Sequence, residues 1–332
     1  MKTRVRRRDK QTIPTAAVRS ELYDVRTHGI TQSLLGKWLA CRESARLYLE
    51  GITTLQKKDA MMAGSIYHDA LETLYNEVQQ AGSPVDAQEI VALVFDSFDD
   101  AVPTTATAAE IEKLEATYAM VEAVLPVYVD HWMEDFTGGV DWTKVEETFR
   151  VPAPGVDGVC LTGKIDGAFT RGPKSLWLFE TKTKAQIQGA TMDDALPLDM
   201  QVQFYLYALA QVTGRKPRGV LYNVIRRPQL RQKKAESRVE FFSRVRADVQ
   251  DRPDHYFHRW EVPVSVDEMR QFEKALSSIV KEFVAWCDGE LATYRNGNAC
   301  LRPWVCSYLP LCSTGNQSGY YVREDVFQEL TV

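Results

Sequence analysis

A chain of 332 residues, 45% of them hydrophobic, has enough apolar material for one large domain or two small ones, which excludes wholesale disorder. A net charge of −5 and a pI near 5.7 exclude a globally basic nucleic-acid binder and confine any such binding to local patches. No apolar run approaches the ~20 residues of a bilayer span, and no apolar segment follows the basic opening MKTRVRRRDK, so neither a membrane protein nor a secretory signal is expected.

In chain order, residues 1–30 read as a basic N-terminal arm, either a solvated tail or a nucleic-acid contact. Residues 31–143 read as a helical region. Thr31 or Ser33 can cap a helix through Leu34, Leu35, Trp38, Leu39 and Leu47 to Gly51, with Cys41 inside it. Residues 64–80 carry the helical stripe Tyr67, Leu71, Leu74, Tyr75 and Val78. His68 sits at the edge of that stripe, as a hydrogen-bonded structural histidine or as a ligand. Residues 85–98 and 108–136 are further helices, the second containing Pro126.

Residues 144–297 form a core of different pattern. Strands are predicted over 145–151, 156–169 and 176–183, with turn chemistry at 152–155 and 171–175. Alternation places Glu146 and Glu147 on opposite faces; surface exposure is expected of either, with one in position to face a site. The stretch 163–184, GKIDGAFTRGPKSLWLFETKTK, organises the rest. Glu180 and Lys182 point the same way, and a hairpin folded about Pro173 sets Asp166 opposite Glu180. The same register opposes Lys164 to Lys182, so a bulge or a slipped register is the alternative. Two carboxylates and an ammonium among apolar neighbours are costly unless paired, and a divalent cation would pair them.

Residues 199–212 read as a buried helix that Gly214 ends, with Gln201 and Tyr205 on one face, and residues 218–225 as a returning strand. A strand, a helix and a strand in one sheet make an α/β crossover, so the expected class is α/β with a central mixed sheet flanked by helices. The loop RRPQLRQKKAESR at 226–238, followed by aromatics at 241–242 and 255–260, suits either a nucleic-acid strand or solvent. A long helix is expected over 266–291, then a cysteine-rich tail at 298–332. In a reducing compartment the six cysteines are metal ligands or buried thiols rather than a disulfide framework, Cys160 and Cys287 being plain core residues. The chain contains no Walker loop, Rossmann fingerprint, GxSxG or HExxH, which argues against an ATPase, dehydrogenase, serine hydrolase or zincin.

The order of a helical His68, then Gly163-Lys164-Ile165-Asp166, then Glu180-x-Lys182, then Gln201-x-x-x-Tyr205 resembles the PD-(D/E)xK nuclease superfamily, and within it the RecB-like exonuclease branch with its phage and CRISPR-associated members. The resemblance implies a restriction-endonuclease-like core. It implies that Asp166, Glu180, Lys182, Gln201 and Tyr205 are catalytic, and that His68, Asp166, Glu180 and the Thr181 carbonyl hold Mg²⁺ or Mn²⁺. Its members more often carry aspartate where Glu180 stands. It implies a DNA exonuclease of recombination, repair or phage DNA metabolism. Such an enzyme acts on single strands or duplex ends, partners a separate helicase or recombination protein, and works in the cytoplasm of a bacterial or phage-infected cell. A nuclease-fold DNA-binding or assembly protein without cleavage is the alternative. Cys41 before the core and Cys300, Cys306 and Cys312 after it resemble the ligands of a [4Fe-4S] cluster that closes the tail on the first helix. Their Cys-x5-Cys-x5-Cys spacing differs from the family's Cys-x2-Cys-x5-Cys. Zn²⁺ on the same four thiolates is the competing metal, and free thiols the plain alternative.

Overall fold

A computed structural model of the chain describes residues 22–54, 59–82, 85–96, 108–172, 175–187, 192, 194–302, 305–323 and 327. Two units interleave along the sequence: Met1–Lys57, Thr148–Lys164 and Asp267–Val332 form one, Lys58–Glu147 and Ile165–Val266 the other.

The first unit opens with α1 (Val25–His28), whose N-cap Asp24 accepts the amides of Arg26 at 3.1 Å and Thr27 at 2.7 Å. Ile30 is fully buried and bridges Leu161 in parallel. Residues 22–30 are therefore folded rather than an arm, while residues 1–21 lie outside the described residues. Thr31 caps α2 (Gln32–Ala40), its Oγ1 accepting the Leu34 amide at 3.2 Å. The helix expected to reach Gly51 instead breaks at Cys41, which is extended at φ −162° and ψ 114°, and restarts as α3 (Arg42–Leu49). Cys41 is thus at a joint and not inside a helix. Both segments bury apolar residues, Leu34, Leu35 and Trp38 before the joint and Ala45, Leu47 and Leu49 after it, so periodicity read across the break does not reveal it. Gly51, at φ 74°, turns the chain into β1 (Ile52–Thr54).

The second unit begins with α4 (Asp59–Ala81), α5 (Ala87–Asp96) and α6 (Ala108–His131). The strands are β2 (Asp141–Pro152), β3 (Cys160–Thr170) and β4 (Leu176–Lys184); α7 (Met200–Thr213) then leads to β5 (Gly219–Arg226). After α8 (Arg238–Asp251) and α9 (Pro253–Tyr256), β6 (Phe257–Pro263) closes the sheet. The strand order is β2-β3-β4-β5-β6, with β4 and β5 parallel and the pairs β3–β4 and β5–β6 antiparallel. This is the mixed α/β architecture expected. The interior strand β5 is buried over seven of its eight residues, as a strand covered on both faces must be. The core of this unit gathers Tyr75, Tyr128, Phe136, Trp142, Phe179 and Ile225 with their neighbours. Asp199 caps α7 by accepting the amides of Gln201 at 2.7 Å and Val202 at 3.3 Å, and Gly214 ends it at φ 65°.

The aromatic run after the basic loop divides between the core and half-buried positions. Phe241, Tyr256 and Phe257 are buried, and Arg259 is buried in an ion pair with Asp135 at 2.5 Å. These four side chains pack into the interior, whereas Phe242, His258 and Trp260 of the same run are half-buried, the His258 and Trp260 rings stacked at 5.6 Å.

The first unit resumes with α10 (Val266–Cys287), which ends four residues earlier than expected and buries Phe272, Leu276, Val280, Phe283 and Val284 on one face. Trp38 meets Phe283 edge-on at 5.6 Å. After α11 (Leu309–Thr314), β7 (Tyr320–Val322) pairs antiparallel with β1, Ile52 opposite Val322, so both ends of the described chain belong to this unit. Among the described residues, no helix is long and apolar enough to cross a membrane.

Candidate metal centre

β3 and β4 pair with Gly167 opposite Phe179 and Ala168 opposite Leu178, the register of a hairpin centred on residue 173. The ladder stops there. One residue further back, Asp166 spends Oδ2 on the Thr181 amide, at 2.7 Å. His68, on the α4 face that turns toward the sheet, brings Nδ1 to 3.8 Å from the same oxygen. Glu146 completes a trio: ligand atoms of His68, Glu146 and Asp166 all lie within 4.8 Å of one another. Among the described residues, this is the one group of three or more such side chains. The cleft they line with Leu71, Glu72, Tyr75, Phe179 and Thr181 encloses about 10 Å³, room for about one water or one ion.

Glu146 reaches the trio because its backbone is strained. It has φ 46°, the one non-glycine residue with positive φ among those described, in the middle of β2. Such a kink re-aims a side chain that plain alternation would place elsewhere. Its neighbour Glu147 pairs with Lys144. Surface exposure, expected for both glutamates, is therefore wrong for Glu146. The sequence left open which of the two glutamates faces a site, because local pattern does not encode a single positive φ.

Glu180 is fully buried. Its Oε1 accepts from Lys182 Nζ and, at 3.0 Å, from Gln201 Nε2. Its Oε2 is buried with no hydrogen-bond partner among the described residues. Burial pushes the Glu180 carboxyl up to about 7; Lys182 opposes the rise and Asp166 adds to it. Burial alone would lower the Lys182 ammonium, but Glu180 and Asp166 raise it well above its usual range. Burial raises the Tyr205 phenol; it hydrogen-bonds Gln201 and feels Glu180, Lys182 and Asp166. Gln201 therefore braces Glu180 directly. His68, Glu146 and Asp166 are a donor set that fits a hard divalent cation with some tolerance for nitrogen, and Glu180, whose carboxyl feels Asp166 and His68, stands outside that trio.

A row of polar residues steadies β4 from behind. Thr181, Asn223 and Arg259 stand opposite one another on β4, β5 and β6. Asn223 Nδ2 donates to Thr181 Oγ1 at 3.3 Å, and Arg259 Nε donates to Asn223 Oδ1 at 3.1 Å. Asp135 takes the far side of the guanidinium, at 2.9 Å and 2.5 Å, and also accepts from Tyr75 at 2.7 Å. Every partner in this chain is satisfied, so a buried charge that would otherwise be costly becomes a fixed support for Thr181 and, through its amide, for Asp166.

The first unit holds the outer cysteines. Cys41 Sγ accepts the Asn296 amide at 3.4 Å, and Cys300 Sγ lies 3.8 Å from the Asn296 carbonyl oxygen. The Cys306 amide donates to the Cys300 carbonyl at 2.8 Å. Burial pushes the Cys312 thiol up to about 11, with Glu43, Cys306 and Cys41 adding to the shift. All four thiols are free and half-buried, and these contacts place them in one neighbourhood. No three of their sulfurs lie within 4.8 Å of one another.

A family model described as the PD-(D/E)XK nuclease superfamily matches residues 30–313. The chain belongs to this superfamily. The matched span of this PD-(D/E)XK protein contains the whole polar site and all four outer cysteines. Among solved structures it is similar to a protein of Eubacterium rectale provisionally named an exonuclease, with 9% identity, a TM-score of 0.46, and 88% of this chain and 95% of that one covered. It is also similar to SSO0001, with 11% identity, a TM-score of 0.26, and 66% and 73% covered. No curated protein matches it.

Proposed function

We propose that this PD-(D/E)XK protein is a metal-dependent deoxyribonuclease that hydrolyses phosphodiesters as an exonuclease on single strands or duplex ends. The observation that carries the reading is the buried, partnerless Oε2 of Glu180, whose carboxyl feels Asp166 and His68 directly. Leaving such an oxygen unsatisfied costs about 1–3 kcal/mol or more, which a cation would recover. His68, Glu146, Asp166 and Glu180, with the Thr181 carbonyl, would hold one or two Mg²⁺ or Mn²⁺ ions. The bound metal would supply Lewis acidity at the scissile phosphate and acidify a water. Lys182 orients the attacking water and offsets charge developing on the phosphate. Gln201 and Tyr205 keep Glu180 and Lys182 in place.

In the first unit, Cys41, Cys300, Cys306 and Cys312 would hold a [4Fe-4S] cluster. A single Zn²⁺ at ~2.3 Å from each sulfur draws its ligands to roughly 3.8 Å of one another. Zn²⁺ on the same four thiolates is the competing reading, and the iron content of the purified protein decides between them. The setting we favour is recombination, repair or phage DNA metabolism in a bacterial or phage-infected cytoplasm, beside a separate helicase or recombination protein.

End-labelled single- and double-stranded DNA, incubated with Mg²⁺, Mn²⁺ or EDTA, tests the reading. Shortening of labelled strands is expected with either metal and not in EDTA. Asp166→Ala should lose at least about a hundredfold in rate while still binding DNA. Cleavage that survives EDTA or this substitution would refute the assigned site. Binding without cleavage under every condition would replace the enzyme by a nuclease-fold DNA binder.

A further inference from the structure

A second cavity lies away from the metal centre. It encloses about 220 Å³ where β5 ends and meets α8 and α9, and its walls include Arg226, Arg227, Arg252, Asp248, His255 and Tyr256. Its charge is unbalanced. Arg252 NH2 lies 2.7 Å from each Asp248 oxygen, and Tyr256 also donates to Asp248, so that carboxylate is spent. Arg226 and Arg227 have no carboxylate partner among the described residues, and the Nε of each is buried without any hydrogen-bond partner. Two adjacent guanidiniums with unused buried donors suit a ligand that only accepts hydrogen bonds and carries negative charge.

Size and place narrow the ligand. The volume falls below the ~300 Å³ at which small-molecule pockets begin, so one phosphate group fits and a whole nucleotide does not. Arg226 is level with Lys184 on the neighbouring strand, two residues beyond Lys182 in register. At ~3.3 Å per residue that is roughly 7 Å along the sheet from the Lys182 position. A strand whose scissile phosphate sits at the metal centre would bring a nearby phosphate to this mouth.

We propose that Arg226 and Arg227 form a phosphate subsite that takes a phosphate of the bound DNA strand adjacent to the one being cut. This rests on the nuclease reading above and names a contact outside its metal centre. A terminal phosphate held there would set where the strand stops and so how far from its end the cut falls. The phosphate is either a terminal phosphomonoester or an internal phosphodiester; both present the same acceptor oxygens to the two guanidiniums.

Binding measured in EDTA, where no cleavage intervenes, tests it by fluorescence anisotropy across a salt series. The probes are a 5′-phosphorylated oligonucleotide, the same strand with a 5′-hydroxyl, and a circular single strand. Arg226→Gln and Arg227→Gln should each weaken binding several-fold and flatten the slope of log affinity against log salt by about 0.7, the loss of one phosphate contact. Arg227→Lys, which keeps the charge and gives up the fork, should restore the salt slope and only part of the affinity. A loss confined to the phosphorylated end assigns the monoester; an equal loss on all three probes assigns the diester. Affinity and slope unchanged in both glutamine variants, with thermal unfolding like that of the parent, overturn the subsite. That failure is separable from failure of the enzyme reading: a parent that cuts DNA but ignores these substitutions loses only the subsite, and one that never cuts but depends on them loses only the activity.

Discussion

Glu146 couples backbone strain to a carboxylate in the trio. Holding a non-glycine residue at φ 46° costs about 1–3 kcal/mol, which the surrounding sheet must supply. Glu146→Gly separates strain from ligand: metal-free stability should rise by about 1 kcal/mol in thermal unfolding, while Mn²⁺ affinity falls at least about tenfold by titration calorimetry. Unchanged Mn²⁺ affinity would remove Glu146 from the ligand set. Glu180 sets a pH dependence. Its carboxyl ionises near 4.5 when unfolded and is pushed up to about 7 by burial, so the folded state keeps a proton between these values. The sign follows: through this group the metal-free fold loses stability as pH rises from 4.5 toward 7. A cation needs the ionised form, so Mn²⁺ affinity should weaken by up to about tenfold per pH unit below 7 and level off above it. Affinity flat from pH 5.5 to 8 would show that Glu180 contributes no ligand.

At the scale of elements, the centre depends on β4 and on the helix that follows it. β4 delivers Glu180, Thr181 and Lys182 in consecutive positions, and α7 delivers Gln201 from its first turn onto Glu180 Oε1. The cap at Asp199 fixes where that turn begins. Asp199→Ala should cost about 1 kcal/mol of stability by denaturant unfolding. It should also lower activity by loosening Gln201, and Asp199→Asn or Asp199→Ser should recover most of both. Alanine and serine variants of equal stability would mean that the side-chain cap contributes nothing. The Thr181–Asn223–Arg259 row joins three strands that are far apart in sequence, and only their register sets these residues side by side.

For the whole molecule, the four outer cysteines draw on both ends of the chain. Cys41 meets Asn296, and β1 meets β7 within the same unit. A cluster there would close a loop of more than 250 residues in the unfolded state, and ligation energy would add to folding energy. Anaerobically purified protein should be brown, contain iron, and unfold at lower temperature after Cys312→Ser. Colourless, zinc-loaded protein from the same preparation would reassign the metal, and no thermal effect of the serine would leave plain thiols.

Much of this centre was legible in the sequence because its logic is local. A two-residue period placed Glu180 and Lys182 on one face, turn chemistry at 171–175 set the hairpin register, and a four-residue spacing joined Gln201 to Tyr205. The alternation of strands with a crossover helix likewise announced a mixed sheet. Features that depend on one dihedral or on distant partners were not legible. The break at Cys41 hides between two stripes of the same period, and Glu146 enters the trio through one positive φ. Arg259 reads as part of a basic surface until Asp135 is found beside it. Residue type and spacing specify which groups share a face; only packing of segments remote in sequence decides which charges are buried, which are matched, and which oxygen is left without a partner.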